Sequence, residues 1–568
     1  MNMQISRYKA GNFVLAALLL GASPELTLEA QVQASGARIA GKVVSSVSGE
    51  PLSRARVSVA NLQERGQTKS LITGDDGIFE FRGLTAGKYS LSAARRGFIE
   101  SSFDQHERYS TAIVTGSQAD SEHLVFRLSP QAVLTGRVLD EFGDPVRNAN
   151  VSTYRQDQST GVSLILRISS THTDDRGTYE FAGLAAGNYF VSVSAEPWYG
   201  LRPRLLPNAG GAAAAAASPE PSPSFDVAYP TTYYPDATDS DDAAPVPLHG
   251  GERLTADVHL SAVPAIRIFV PMPETPEQGL AMPVLLRKSF DSMEDVLAAR
   301  MEVRSDSPQE APGPDIALAA PGKLEISGIP AGKYTVFIPD DATGTPGTLA
   351  EINLTRDGQE LNATSGEPLS RLKFAVHILG EGRIPERLRL ALQNGDHRVV
   401  VSSLVDANGN SQFVHIPPGK YNLLAATPSK DYSVTQITSD GHQSSGHSLE
   451  IVPGSTIKGD VTLLSGTGTI EGFAKRAGKG FPGAMIVLVP KDAEAHGELF
   501  RRDQSDLDGS FSLATIVPGE YTIVAIENGW DLNWSQAGVI AHYLPRGRTV
   551  AVGSGLSHLP EPVEVQTK

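Results

Sequence analysis

The chain has no cysteine in 568 residues. That excludes disulfides, thiolate metal ligands, cysteine nucleophiles and a lipidated cysteine together. Aromatics are sparse at 7%, with three tryptophans. Bases are outnumbered by acids, 48 to 64, and the formal charge of −16 leaves no surplus to neutralise phosphates. Duplex nucleic acid and anionic membranes are therefore disfavoured partners. Past the N-terminus no run of eighteen apolar residues occurs, so no transmembrane segment is expected in the mature chain. Signatures of catalysis are missing too: no G-x-S-x-G, no H-E-x-x-H and no phosphate-binding G-x-x-x-x-G-K-S/T. The expectation is a protein that is not an enzyme, with no catalytic residue, no metal ligand and no cofactor.

What is present begins with residues 1–34, which read as a secretory signal peptide. Arg7 and Lys9 give the positive charge, residues 13–22 the apolar stretch, and Ala34 or Ala30 the cleavage site. Ten apolar residues are too few to span a bilayer. The expected location is extracytoplasmic: periplasmic, outer-membrane-associated or secreted. The 55 glycines and 38 prolines favour short strands and many turns. The length exceeds what one core can organise, so several domains are expected.

Internal repetition is the strongest signal. Five segments align without gaps: GIFEFRGLTAGKYSLSA, GTYEFAGLAAGNYFVSV, GKLEISGIPAGKYTVFI, GNSQFVHIPPGKYNLLA and GSFSLATIVPGEYTIVA. Each carries a Gly-x-Tyr: Gly87 and Tyr89, Gly187 and Tyr189, Gly332 and Tyr334, Gly419 and Tyr421, Gly519 and Tyr521. Beyond each tyrosine, alternate positions stay apolar, the mark of a strand with one buried face. The glycine permits a tight turn, so each segment is predicted to be a hairpin whose tyrosine tucks into the core and bonds backbone upstream. A short strand, a Gly/Pro turn and an alternating strand precede most copies, as in IAGKVVSSVSGEPLSRARVSV. A closing alternating strand follows, as in HLVFRLS. Closing strands run almost straight into the next opening strand, which predicts short linkers and units packed end to end as a semi-rigid rod.

The pattern G-x-V … G-x-P-x-x-x-A-x-V … D-x-x-G-x-Y/F-x-F-x-x-L-x-x-G-x-Y resembles the carboxypeptidase regulatory-like family. That resemblance implies transthyretin-like seven-stranded β-sandwiches, akin to adhesin B-type repeats and carbohydrate-binding-like folds. It is good over residues 38–129, 131–195 and 467–527, fair over 375–465 and weak over 263–374. The fold class expected is all-β, tandem antiparallel sandwiches with an Ig-like or transthyretin-like core. The domains expected are residues 35–130, 131–262 with an Ala/Pro-rich insertion at 202–224, a divergent 263–374, 375–465 and 466–568. Adhesin modules of this kind carry a glutamate four residues after the tyrosine that assists an isopeptide bond. Here those positions are Ala93, Val193, Ile338, Ala425 and Ala525, so no covalent cross-link is expected. A zinc peptidase pair, H-x-x-E, is matched by His249 and Glu252, His447 and Glu450, and His558 and Glu561. The α/β catalytic domain that would use it is lacking, and coincidence is the better reading.

Acidic turns such as GDDG, TDDRG and SDLDG suit backbone-capping by aspartate better than a calcium loop. The segment containing Tyr233, Tyr234 and Asp236 reads equally as a recognition loop or a tethered strand. Phe98, Trp198 and Trp530 each stand nine residues past their tyrosine, with Tyr199 and Trp534 beside two of them. These are the candidate ligand-stacking aromatics, since flat rings at a sandwich end suit pyranose faces. The alternative is that they cap cores or fill joints. The function expected is an exported scaffold, adhesion or interaction protein of the cell envelope, whose partner is an envelope or surface protein. The alternatives are a polysaccharide-binding protein and a detached N-terminal extension of an outer-membrane transporter.

Overall fold

The computed structural model describes residues 36–568, apart from 65–67, 201–225, 272–282, 297–314, 321–322, 339–346, 362–365, 381–382, 396–397, 429 and 440–441. The signal peptide and the insertion at 202–224 lie outside the described residues. The rest is nearly all β-strand, folded around five buried apolar cores that follow one another along the chain. We number these units 1 to 5 in chain order. Among the described residues no helix is long and apolar enough to cross a membrane.

Unit 1 shows the plan. Its opening strand, Ala37–Ser45, lies between Ile78–Leu84, antiparallel to it, and Leu124–Leu128, parallel to it. The facing sheet runs Thr68–Ile72, Arg56–Asn61, Gly87–Ala94. The parallel closing strand recurs in the other units, as in Ser370–Ile378 beside Thr456–Ser465. Each unit is therefore mixed rather than purely antiparallel. In units 1 and 2 a glycine in the opening strand lets the closing strand in. A Cβ at Gly41 would sit 2.2 Å from the Leu124 carbonyl oxygen, and one at Gly136 would sit 2.1 Å from that of Ala256.

The repeated segment is not a hairpin. In unit 1 its first strand pairs with the opening strand and its Gly-x-Tyr strand pairs in the facing sheet, so the chain crosses between sheets. The same crossing joins Thr178–Leu184 to Gly187–Ser194 and Ser510–Ile516 to Gly519–Glu527. The left-handed residue that makes the corner lies six before the tyrosine: Gly83 (φ +66°), Gly183 (+73°), Gly328 (+79°), His415 (+60°) and Thr515 (+57°). Gly87, Gly187, Gly332, Gly419 and Gly519 instead begin the strand, and at Gly332, Gly419 and Gly519 a Cβ would meet the tyrosine ring itself. In all five units the tyrosine is buried. Its hydroxyl donates to the carbonyl four residues upstream: Tyr89 to Thr85 at 2.9 Å, Tyr189 to Ala185 at 2.7 Å, Tyr334 to Pro330 at 2.9 Å, Tyr421 to Pro417 at 2.9 Å and Tyr521 to Val517 at 2.7 Å. One repeated bond thus satisfies a carbonyl that the corner takes out of the ladder. Ala93, Val193, Ala425 and Ala525 are buried core residues where the glutamate of adhesin modules would stand.

The units do not form a rod. Unit 1 meets unit 2 where Gln131 N donates to Gly97 O at 2.9 Å, and unit 2 meets unit 3 through an apolar cluster of Tyr154, Tyr233 and Phe290. Arg398 of unit 4 reaches the Asp291 carbonyl of unit 3 at 2.9 Å. Unit 5 then returns to unit 1, where Leu507 N donates to Ala112 O at 2.9 Å and Lys88 Nζ pairs with Asp506 at 2.6 Å. It also touches unit 2, where Ser535 N donates to Gly161 O at 3.3 Å. The contacts thus close on themselves.

Candidate functional site

The loops that leave the tyrosine strands hold all five candidate aromatics, and their neighbours decide what each ring can do. In unit 1, Phe98 packs against the core, with the Arg95 guanidinium 5.0 Å above its ring and Pro130 bridged to its backbone. It caps the sandwich at the start of the next unit.

In unit 5 the rings are enclosed, Trp530 against unit 1 and Trp534 within unit 5's own apolar cluster. His106 stacks on Trp530 at 4.9 Å and 7°, Tyr109 lies 5.7 Å away, and Trp530 Nε1 donates to Gly483 O at 3.3 Å. Trp534 is buried. Between them runs Arg502, whose guanidinium is 4.1 Å from the Trp534 ring and 5.7 Å from that of Trp530. Arg502 is 2% exposed and grips Glu107 of unit 1 with both terminal nitrogens, at 2.6 and 3.2 Å. A planar fork held against a carboxylate and two indoles is a site where lysine could not substitute. Gln504 completes the seam by donating to Asp104 O at 2.6 Å and Thr111 Oγ1 at 2.8 Å. Trp530 is therefore a joint residue and Trp534 a buried residue beneath it, their faces occupied by protein rather than open to a ligand.

In unit 2 the ring is free. Trp198 is 84% exposed. It meets Tyr199 edge-on at 5.7 Å, and Tyr199 meets Phe142, itself 76% exposed, at 6.5 Å. Phe142 sits in the turn that Asp140 builds by accepting from Phe142 N at 2.9 Å and Asp144 N at 2.8 Å. Beside it, Glu141 accepts from both the Tyr199 hydroxyl and the Tyr229 hydroxyl, the latter at 3.1 Å. Burial and then the Glu141 carboxylate push the Tyr199 phenol up to about 12, so it stays a donor at neutral pH. The arrangement is an aromatic platform with a carboxylate at its edge, suited to stacking flat apolar faces and accepting hydroxyl hydrogens. Phe142 and Glu141 were outside the sequence reading. The D-E-F-G turn is the only signal that could have found them, since the fold brings it to the tyrosine-strand loop.

The remaining motifs resolve into local structure. Glu252 accepts from His249 N at 2.8 Å and His249 Nδ1 at 3.0 Å, closing an exposed turn. Asp174 and Asp406 each accept two backbone N–H bonds in their own turns, at 2.7 to 2.9 Å. Tyr233 is buried at the joint of units 2 and 3, so its segment is a tether. Among the described residues one group could hold a metal: His447, His496 and Glu498, drawn from units 4 and 5. None of the three H-x-x-E pairs forms it.

Comparison with known proteins returns solved structures at low likeness, among them these three. The TIE protein of Bacillus anthracis is 11% identical, with 76% of this chain and 68% of that one covered and a TM-score of 0.16. A streptococcal ancillary pilin is 13% identical, with 53% and 98% covered and a TM-score of 0.20. A provisionally assigned carbohydrate-binding protein of Bacteroides uniformis is 13% identical, with 28% and 87% covered and a TM-score of 0.13. No curated protein matches the chain in sequence. Residues 38–128 and 133–209 match the model of the carboxypeptidase regulatory-like domain, as two tandem copies.

Proposed function

We propose that the chain is an exported, non-enzymatic scaffold of the adhesion type, acting in the cell envelope by holding one sandwich end out to a partner. The observation that carries this reading is the contrast among equivalent loops. Those of units 1 and 5 are spent on joints, while that of unit 2 leaves Trp198, Tyr199 and Phe142 on the surface. An apolar ring as exposed as Trp198 is uncommon unless something covers it in use. A second reading, polysaccharide binding, is favoured by Glu141 and the tyrosine hydroxyls at the platform edge, which pair stacking with hydroxyl recognition.

Retention of the mature chain on insoluble glycans and on envelope protein fractions tests both. Trp198→Ala should cut retention about tenfold or more on whichever material binds, as expected for loss of a central aromatic anchor. Glycan retention lost in the variant supports the second reading. Retention on protein alone, lost in the variant, supports the first. Unchanged retention on every material sinks the platform.

A further inference from the structure

Where units 4 and 5 approach each other, three side chains converge that no repeated motif contains. His447 precedes the strand Ser448–Ile451, and its carbonyl accepts from Leu423 N at 2.7 Å, which fixes the backbone on the tyrosine strand of unit 4. Glu498 belongs to the short turn Gly497–Leu499 of unit 5, and His496 immediately precedes it. That turn is held by His496 N on Asp492 O at 3.1 Å and by Arg501 Nη1 on Glu498 O at 2.8 Å. The ligand atoms of all three residues lie within 4.8 Å of one another. His447 Nε2 is 3.8 Å from Glu498 Oε2, and His496 Nδ1 is 3.3 Å from Glu498 Oε1. The two imidazoles are 5.1 Å apart at 43°.

Two features set this group apart from a surface ion pair. The His447 side chain is 7% exposed and the Glu498 side chain 13%. His447 Nδ1 is buried with no hydrogen-bond partner, and Nε2 stands beyond hydrogen-bond distance from the carboxylate. An imidazole so placed forfeits the bonds that normally compensate burial. The Glu498 carboxylate lies between these two imidazoles. Among the described residues no lysine or arginine pairs with it.

We propose that His447, His496 and Glu498 form a divalent transition-metal site of the zinc class, pinning unit 4 to unit 5. Two imidazoles and a carboxylate are a donor set for zinc rather than for calcium or magnesium, which prefer all-oxygen shells. Bonds of about 2.0–2.2 Å to a shared centre need ligand atoms roughly 3.5 Å apart. Separations of 3.3 and 3.8 Å are therefore already close, and only small side-chain rotations remain. The ion neutralises the enclosed carboxylate and engages the under-bonded histidine. Because the ligands come from two units, it binds only the docked arrangement and stabilises that joint by linkage.

The test is titration of the chelator-stripped mature protein with zinc chloride, read by calorimetry and by thermal melting. One equivalent should bind, raise the melting midpoint and resist competition by calcium and magnesium. Glu498→Gln and His496→Gln, both on the less buried turn, should each weaken that equivalent by more than about tenfold and abolish the midpoint shift. His447→Gln is the deeper change, and the two turn variants carry the test if it fails to fold. Zinc binding unchanged in both turn variants, or no stoichiometric uptake by the wild type, overturns the proposal. Unchanged binding would assign the zinc to exposed pairs such as His249 and Glu252.

Discussion

The loops after the tyrosine strands of units 2 and 5 start alike and end in opposite surroundings. Each presents a tryptophan nine residues past its tyrosine, followed by a second aromatic. In unit 5 that tryptophan lies under His106 and beside Arg502; in unit 2 it stands 84% exposed. The local chain does not make the difference. The partner does, because unit 1 supplies His106, Glu107 and Tyr109 to one loop and no described counterpart covers the other. An equivalent position in a repeat is thus a place, not a role, and its use is set by what the neighbouring unit brings to it.

This contrast can be broken most forcefully at Arg502. Arg502→Ala removes the cation from a buried pair and leaves Glu107 facing two indoles, which should cost about 3 kcal/mol in urea denaturation followed by tryptophan fluorescence. A loss under about 0.5 kcal/mol would mean the joint contributes no stability. Next in size is a matched pair of variants. Trp530→Ala should cost about 2 kcal/mol, whereas Trp198→Ala should stay within about 0.5 kcal/mol, since only the first ring is packed. Equal costs would erase the distinction.

A smaller effect sharpens the picture of unit 5 beneath the joint. Burial pushes the Asp503 carboxyl up to about 6 from its ordinary 3.8. The folded protein therefore keeps a proton that the unfolded chain releases between about pH 4 and 6, so this group's contribution to stability falls as pH rises through that window. Asp503→Asn should flatten that slope and gain about 1 kcal/mol at pH 7, measured as denaturation midpoints from pH 4 to 7. A slope that persists in the variant would move the effect to Asp506, which burial also raises and which Lys88 of unit 1 opposes.

Much of the fold was legible because it is local and repeated. Alternation past each tyrosine marks the buried face, and the acidic turns cap their own backbone. The sheet-to-sheet crossing was not legible, since a left-handed residue between two apolar strands serves a hairpin or a corner equally well. Only the long-range pairing of Ile78–Leu84 and Gly87–Ala94 with different strands decides it. The parallel closing strand was hidden for the same reason. Of the candidate site, the positions of Trp198 and Trp530 followed from spacing, but their exposure did not. Exposure depends on Glu107 and Arg502, which are 395 residues apart and occur once each in their units without periodicity. His447 was singled out only beside Glu450, and its meeting with His496 and Glu498 was not legible, because that meeting is a property of how two units dock.

The return of unit 5 to unit 1 has a geometric consequence for the units between them. A seam closed across 395 residues of flexible chain would carry a large entropy of loop closure. Here the span is folded, and units 2 to 4 act as a shaped spacer that sets both the distance and the angle at which Arg502 finds Glu107. The seam is thus coupled to every intervening joint. A change that tilts unit 3 on unit 2 at Phe290, or unit 4 on unit 3 at Asp291, can swing unit 5 off unit 1 without altering a residue that either of them presents.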